Sequence, residues 1–197
     1  MKINIRREKK EDFGIVEKIT REAFYNKDDL LAKGFACSEH YFVHELRKQD
    51  GILELSLIAE KDGEIVGHII YSHSQVISEN KKIINTITFG PVSVRKDLQN
   101  NGIGTQLINH SIKLAKSYGY GAIIIFGHPN YYPRFGFVPG KEYNLYTKDN
   151  KQFDAFMVKE LIPDYLKMRK GVFYESKILD EEGNIKEIIQ FDKTFQD

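Results

Sequence analysis

Residues Gln99-Asn100-Asn101-Gly102-Ile103-Gly104 have the types and spacing of an anion-binding turn. They stand between a strand-like run, Ile87-Thr-Phe-Gly-Pro-Val-Ser-Val94, and a helix-like run from Ile103 to Tyr118. The first N–H groups of a helix lack intrahelical acceptors, and the helix dipole favours negative charge beside them. Gly102 and Gly104 carry no Cβ, so a phosphate can come close to the backbone. Two other phosphate loops do not fit. A dinucleotide fingerprint needs a third glycine where Leu107 stands. A P-loop needs Ser or Thr after Gly-Lys, but the only such pair, Gly140-Lys141, is followed by Glu142. Taken alone, the segment also reads as an ordinary strand-to-helix turn.

A second segment follows one helix and one strand later. After the apolar run Ala122-Ile-Ile-Ile-Phe126 comes Gly127-His-Pro-Asn-Tyr-Tyr-Pro-Arg-Phe-Gly-Phe137. The Q-x-x-G-x-G spacing of the first segment resembles the acyl-coenzyme A pyrophosphate loop of the GNAT superfamily of N-acetyltransferases, [QR]-x-x-G-x-[GA]. Tyr132-x-x-Phe-Gly-Phe137 resembles the family segment Y-x-x-[LF]-G-F. The longer stretch 127–137, together with Thr88-Phe-Gly-Pro-Val-Ser-Val94, is similar to the YhbS-like branch of that superfamily. The motif-bearing match covers residues 87–139, and pattern-level similarity extends over most of the chain.

The resemblance implies acetyl-CoA as co-substrate and direct acetyl transfer to an amine. It places the pyrophosphate on Gln99, Asn100, Asn101, Gly102, Ile103, Gly104 and Thr105. It places the thioester and pantetheine beside Val92 and Val94, with backbone N–H near Val92 meeting the oxyanion. It selects Tyr132 over its neighbour Tyr131 as the general acid for the leaving sulfur. A phenol with pKa ~10 stays protonated at neutral pH and can donate. The competing reading of Tyr132 is a core aromatic beside Phe135 and Phe137. The chain departs from many relatives in having Ile125 where they carry a cofactor-binding Asn; Asn130 is a substitute, and Arg134 and Arg95 could meet phosphates. The general base is not visible: His73, His128, Glu39 and Glu45 are all open, as is a water chain. A non-catalytic acyl-CoA binding or sensing module is the alternative function, and an unrelated nucleotide-binding α/β protein a weaker one.

The elements that must position these residues read as follows. Ile3 and Ile5 alternate in a strand, and Phe13, Val16, Ile19 and Ala23 share a helix face. Residues 26–38 read as a loop or irregular helix, after which Ser38 could cap a helix carrying Tyr41, Phe42 and Leu46. Asp62-Gly63 between apolar runs signals a hairpin with a type I′ turn. After the turn at 78–81, a strand ends near Val94. The helix after the loop has Ile103, Leu107, Leu114 and Tyr118 as a buried stripe, flanked by Ile108, Ile112 and Ala115, and stops at Gly119. The strand 122–126 is apolar throughout, as when both faces are covered. Strands are expected over 152–158 and 172–178, and a polar hairpin over 180–197 around Glu182-Gly-Asn184.

The element order β-α-α-β-β-β-α-β-α-β-β predicts an α/β (α+β) fold with a mixed sheet and helices on both faces. By resemblance it is the GNAT acyl-CoA N-acyltransferase fold, a single domain over 1–197 with C-terminal strands over 140–197. In that fold two central parallel strands, here those ending at Val94 and Phe126, splay apart to form the acetyl-CoA groove. Gly90-Pro91 suits an interrupted ladder, since proline offers no N–H.

Composition narrows the partners. The 197 residues contain 41% hydrophobic and 29% charged residues, as in a globular protein. Lys+Arg of 29 against Asp+Glu of 28 gives a net charge of +1, which supports neither a nucleic-acid nor a membrane-surface role. No apolar stretch approaches the ~20 residues of a membrane helix, and no apolar signal core opens the sequence. The single Cys37 fits a cytoplasmic location, and reads as a small, partly buried residue rather than an acyl carrier. His40 and His44 have metal-ligand spacing, but Tyr41 stands where a zincin needs Glu, so no metal is expected. A homodimer through strand-like edges in 171–191 is expected. The acceptor, a small-molecule or protein amine, cannot be read.

Overall fold

The computed structural model describes residues 2–167 and 170–195. β1 (Asn4–Arg7) leads into α1 (Phe13–Phe24), α2 (Lys27–Lys33) and α3 (Glu39–Lys48). β2 (Gly51–Lys61), β3 (Glu64–Ser78) and β4 (Ile83–Val94) precede α4 (Ile103–Ser117) and β5 (Ala122–Phe126). β6 (Val138–Pro139), β7 (Leu145–Tyr146), β8 (Phe156–Glu160), β9 (Gly171–Tyr174) and α5 (Ile185–Asp192) complete the order. The strands form a mixed sheet ordered β1-β2-β3-β4-β5-β8-β6, with β9 paired to β3 and β7. The chain divides into two compact units: Met1–Tyr71, Gly90–Ser111 and Lys177–Asp197 make the first, Ser72–Phe89 and Ile112–Ser176 the second.

In the first unit Asp62 and Gly63 both take positive φ, 53° and 84°, which is the type I′ geometry expected of this hairpin. β1 runs antiparallel to β2, with Ile5 opposite Ala59. The core joins Val16 of α1, Tyr41, Phe42, Val43 and Leu46 of α3, Ile58 of β2, Ile70 of β3 and Ile188 of α5. Residues 27–33 are a helix because Asn26 accepts from the N–H groups of Asp28 and Asp29 at one end, while Gly34 turns left-handed (φ 84°) at the other. Ser38 precedes α3 without capping it; its hydroxyl donates to Glu181 at 2.8 Å instead. Ser111 of α4 is wholly buried and shares a 2.8 Å hydrogen bond with the Tyr71 hydroxyl, tying the middle of α4 to β3.

The C-terminal hairpin expected from sequence is not formed. Glu182–Asn184 is a 3-10 turn that feeds α5, while residues 196–197 lie outside the described residues. Ile185, Ile188, Ile189 and Asp192 have helical spacing, and packing of Ile188 (0% exposed) into the core outweighs the turn signal of Gly183.

In the second unit the parallel pairing of β4 with β5 runs through Ile87 opposite Ile123. β5 pairs antiparallel with β8 from Ala122–Glu160 to Phe126–Phe156, and β8 with β6. The C-terminal strands are shorter than expected, 156–160 and 171–174. β9 has Gln75–Ser78 of β3 on one side and β7 on the other, so 171–172 is no open edge. Two burial expectations fail. Tyr118 is 54% exposed because α4 ends at Ser117, and Phe126 is 45% exposed although Ala122–Ile125 are buried. The helix expected after β5 is only a 3-10 turn, Tyr132–Phe135, ended by the left-handed Gly136 at φ 81°.

Candidate active site

In the first unit β4 delivers the chain to the glycine turn. The Arg95 N–H donates to the Val66 carbonyl at 2.9 Å, so the chain is still pinned to β3 as it leaves the sheet. Asn100 (φ 62°) and Gly102 (φ 79°) are left-handed, and nothing lies within 4 Å of where a Gly102 Cβ would be. Side chains close the turn: Gln99 Nε2 donates to the Val94 carbonyl at 3.1 Å, and Asn101 Nδ2 to the carbonyls of Gln99 and Leu98 at 3.0 and 3.3 Å. The Gln106 N–H donates to the Gly102 carbonyl at 3.0 Å, opening the helical ladder. The amides of Ile103, Gly104 and Thr105 therefore precede the first helical hydrogen bond. Ile103 is buried and anchors the helix; Gly104, Thr105, Val92 and Val94 are half-buried; Gln99 to Gly102 are exposed. This turn presents backbone donors and a positive dipole end over an opening without side chains, which suits a phosphate. The Arg95 guanidinium is held by Asp97 (2.8 Å) and Glu64 (2.7 Å).

In the second unit Tyr132 opens the 3-10 turn after β5. Its ring lies 5.7 Å from Phe89, 5.8 Å from Phe137 and 6.2 Å from Phe135. Tyr131 stands edge-on to it at 5.2 Å and carries the Arg134 guanidinium 4.5 Å above its own ring. A Cβ on Gly127 would overlap the Tyr132 ring, so glycine there is what lets the tyrosine close on the strand. Burial, with the neighbouring Tyr131, pushes the Tyr132 phenol up to about 12. Among the described residues its hydroxyl has no hydrogen-bond partner. Packing and proton donation are thus compatible in one residue: the ring is fixed by aromatics and the hydroxyl stays protonated. Asn130 is exposed, and its backbone N–H donates to His128 Nδ1 at 3.2 Å.

None of the base candidates is singled out. His73 and His128 are exposed. Burial raises the Glu39 carboxyl, which accepts from the Ser38 N–H at 3.1 Å. Glu45 accepts from Lys48 and Gln49, each at 2.8 Å.

Sequence reasoning missed two buried ionic clusters of the first unit. Asp192 of α5 accepts from Arg21 (2.6 Å) and from the Ala36 N–H (3.0 Å), and lies 3.3 Å from His40 Nε2. His40 Nδ1 in turn lies 3.2 Å from Cys37 Sγ. Burial drives the Cys37 thiol up to about 12 and His40 down to about 4, so this Cys-His-Asp row is held as neutral thiol and neutral imidazole. The second cluster centres on Arg47, whose guanidinium donates to Glu8 and Glu17 and lies 4.1 Å over the Phe13 ring. Partners 30 to 171 residues apart, as Arg47 is from Glu17 and Arg21 from Asp192, leave no local sequence signal.

A family model described as Acetyltransferase (GNAT) family matches residues 16–137. The chain belongs to this family. YhbS, an uncharacterized N-acetyltransferase of Escherichia coli (strain K12), is 30% identical over 141 residues, 71% of this chain and 82% of the relative. YjhQ of the same organism, another uncharacterized N-acetyltransferase, is 30% identical over 111 residues, 56% of this chain and 61% of the relative. The crystal structure of E. coli YhbS in complex with CoA has a TM-score of 0.77 at 22% identity, covering 91% of this chain and 93% of that one. A Brucella melitensis GNAT acetyltransferase in complex with acetyl-CoA has a TM-score of 0.65 at 26% identity, covering 90% and 97%. The GNAT fold expected from the two sequence motifs is borne out. No helix among the described residues is long and apolar enough to cross a membrane.

Proposed function

We propose that this GNAT chain works as one domain that transfers the acetyl group of acetyl-CoA directly to a primary amine. The observation that carries the reading is the Gln99–Thr105 turn, whose open backbone face fits a pyrophosphate in a member of this family. Asn130 and Arg134 are further cofactor contacts in this reading, and the complexes of the two structural relatives with CoA and acetyl-CoA support the co-substrate.

In the reaction, the neutral amine nitrogen attacks the thioester carbonyl carbon and forms the C–N bond. Backbone N–H near Val92 stabilises the oxyanion. The C–S bond breaks with its electron pair going to sulfur, and Tyr132 donates its phenolic proton there. The acylated nitrogen loses its extra proton to solvent, which also reprotonates Tyr132, leaving amide and CoA thiol. A lysine-like amine with pKa ~10.4 is mostly protonated at neutral pH, so turnover should rise with pH as the neutral amine fraction grows.

Titration calorimetry of Gly104→Glu tests the placement: the new carboxylate would face the phosphates and abolish acetyl-CoA binding in a folded variant. Unchanged affinity would remove the pyrophosphate from this turn. Thiol release across a panel of amines tests the activity; binding without release for any acceptor would favour an acyl-CoA sensor. The same reading includes a cytoplasmic location and a homodimer, for which light scattering should exceed the monomer mass of 22.9 kDa.

A further inference from the structure

The end of β5 carries a feature that neither the cofactor turn nor Tyr132 uses. Phe126 and Phe153 are 45% and 44% exposed, yet their rings lie nearly parallel, 19° apart with centroids at 5.8 Å. They rest on two buried rings. Phe156 lies 5.5 Å from Phe126 and 6.3 Å from Phe153, and Phe173 lies 6.0 Å from Phe126. The backbone fixes both exposed rings: Gly127 N–H donates to the Ala155 carbonyl at 2.8 Å, and Phe156 N–H to the Phe153 carbonyl at 3.0 Å. Scattered exposed apolar side chains are ordinary, but here two large, half-exposed rings are held nearly parallel on a base of two buried rings.

Its place in the strand suggests its use. Successive side chains of β5 alternate between faces. A Cβ on Gly127 would meet the Tyr132 ring and come within 3.0 Å of Ile125 Cδ1, so Ile125, Gly127 and Tyr132 share one face. Phe126 points to the other, among Phe156 and Phe173. The proton donor and the aromatic platform thus occupy opposite faces at the end of β5, with Phe126 six residues before Tyr132 along the chain. A nucleophile cannot arrive through space filled by the acid and its aromatic packing, so the opposite face is where an acceptor would approach.

We propose that the Phe126–Phe153 pair is the acceptor platform, and that the acceptor is an amine bearing an aromatic ring. This rests on the acetyltransferase reading above. Two nearly parallel phenyl rings extend by offset stacking onto a third flat ring, an arrangement that a saturated chain does not reproduce. The amine nitrogen then projects past Phe126 towards the strand end.

The test compares three amines with acetyl-CoA: 2-phenylethylamine, its saturated analogue 2-cyclohexylethylamine, and ethanolamine. Thiol release should give the highest kcat/KM for phenylethylamine, through a lower KM. Phe153→Leu, an exposed position that keeps an apolar side chain without the ring, should reduce the phenylethylamine-to-ethanolamine ratio about tenfold. Phe153→Tyr should retain it. Equal kcat/KM for phenylethylamine and ethanolamine, or a ratio unmoved in Phe153→Leu, overturns the platform. Equal values for the aryl and cyclohexyl amines overturn the aromatic class. No turnover of phenylethylamine also overturns the proposal; acetyl-CoA calorimetry and thiol release with other amines then show separately whether the acetyltransferase reading stands.

Discussion

The ring of Tyr132 fills the space in which any side chain at position 127 would have to stand. The glycine is therefore a geometric partner of the tyrosine, set five residues before it where β5 ends. Gly127→Ala should push the ring off the strand at a cost of about 1–3 kcal/mol, the usual range for overpacking. If Tyr132 is the acid, the displacement should also lower kcat, with acetyl-CoA affinity less affected. Urea melts and single-turnover rates on one preparation separate the two effects.

Tyr132→Phe keeps the ring and its packing against Phe89 and Phe137 and deletes only the hydroxyl. Turnover should fall by ~10²–10⁴, the usual worth of general acid assistance, provided chemistry limits the rate. Acetyl-CoA affinity by calorimetry should stay nearly constant. With the phenol raised to about 12, the wild-type single-turnover rate should show no loss of the acid between pH 7 and 10. Full activity in the variant would assign the sulfur's proton to another donor.

Asp192 holds α5 to α1 and α3, and its loss should be felt well away from Tyr132. Asp192→Asn removes the counter-charge of a mostly buried Arg21, a change that costs about 3–5 kcal/mol in comparable pairs. Hydrogen exchange should then accelerate first in α5. Arg21→Met with Asp192→Leu, which removes both charges, should recover much of the loss.

Acid should weaken the same cluster in a defined window. His40 sits at about 4 in the fold against an ordinary 6.5, so the unfolded chain takes up the proton first. The contribution is full above pH 6.5 and is lost as pH falls towards 4, by up to about 3 kcal/mol. Denaturation midpoints measured from pH 7.5 to 4 should show this slope, and His40→Gln should flatten it.

Glu8 predicts a lower window. Burial raises its carboxyl, but hydrogen bonds from His68 and Arg47 more than reverse this and hold it at about 2. Its stabilisation is present above the ordinary 4.5 and is lost as pH falls through 2. Arg47→Met leaves Glu8 and Glu17 without their shared cation and should cost about 3–5 kcal/mol at neutral pH. Chemical denaturation of this variant at pH 7 checks the figure.

Features governed by near neighbours could be read from the sequence. Asp62-Gly63 dictates its own turn, and the Gln99–Gly104 turn is shaped by hydrogen bonds within five residues. Tyr118 and Phe126 were misplaced because periodicity marks a face without saying where its cover ends. Ser111 interrupts the apolar stripe of α4; its buried hydroxyl donates to the Ile108 carbonyl in its own helix and also meets the distant Tyr71 hydroxyl. The helical spacing of Ile185, Ile188 and Ile189 was present but competed with the turn signal of Gly183 and Asn184. Asp192 lies on the buried side because distant groups, Arg21 171 residues earlier and the Ala36 N–H, donate to it there.

That separation also bears on how the protein is made. Arg21 emerges from the ribosome 171 residues before Asp192, roughly ten to thirty seconds at ordinary elongation rates. During that interval α1 and α3 have no α5 to close over them, and the apolar faces of Val16, Tyr41 and Val43 await Ile188. The second unit ends at Ser176, before α5 in the chain. The core of the first unit therefore cannot close until α5 has been made.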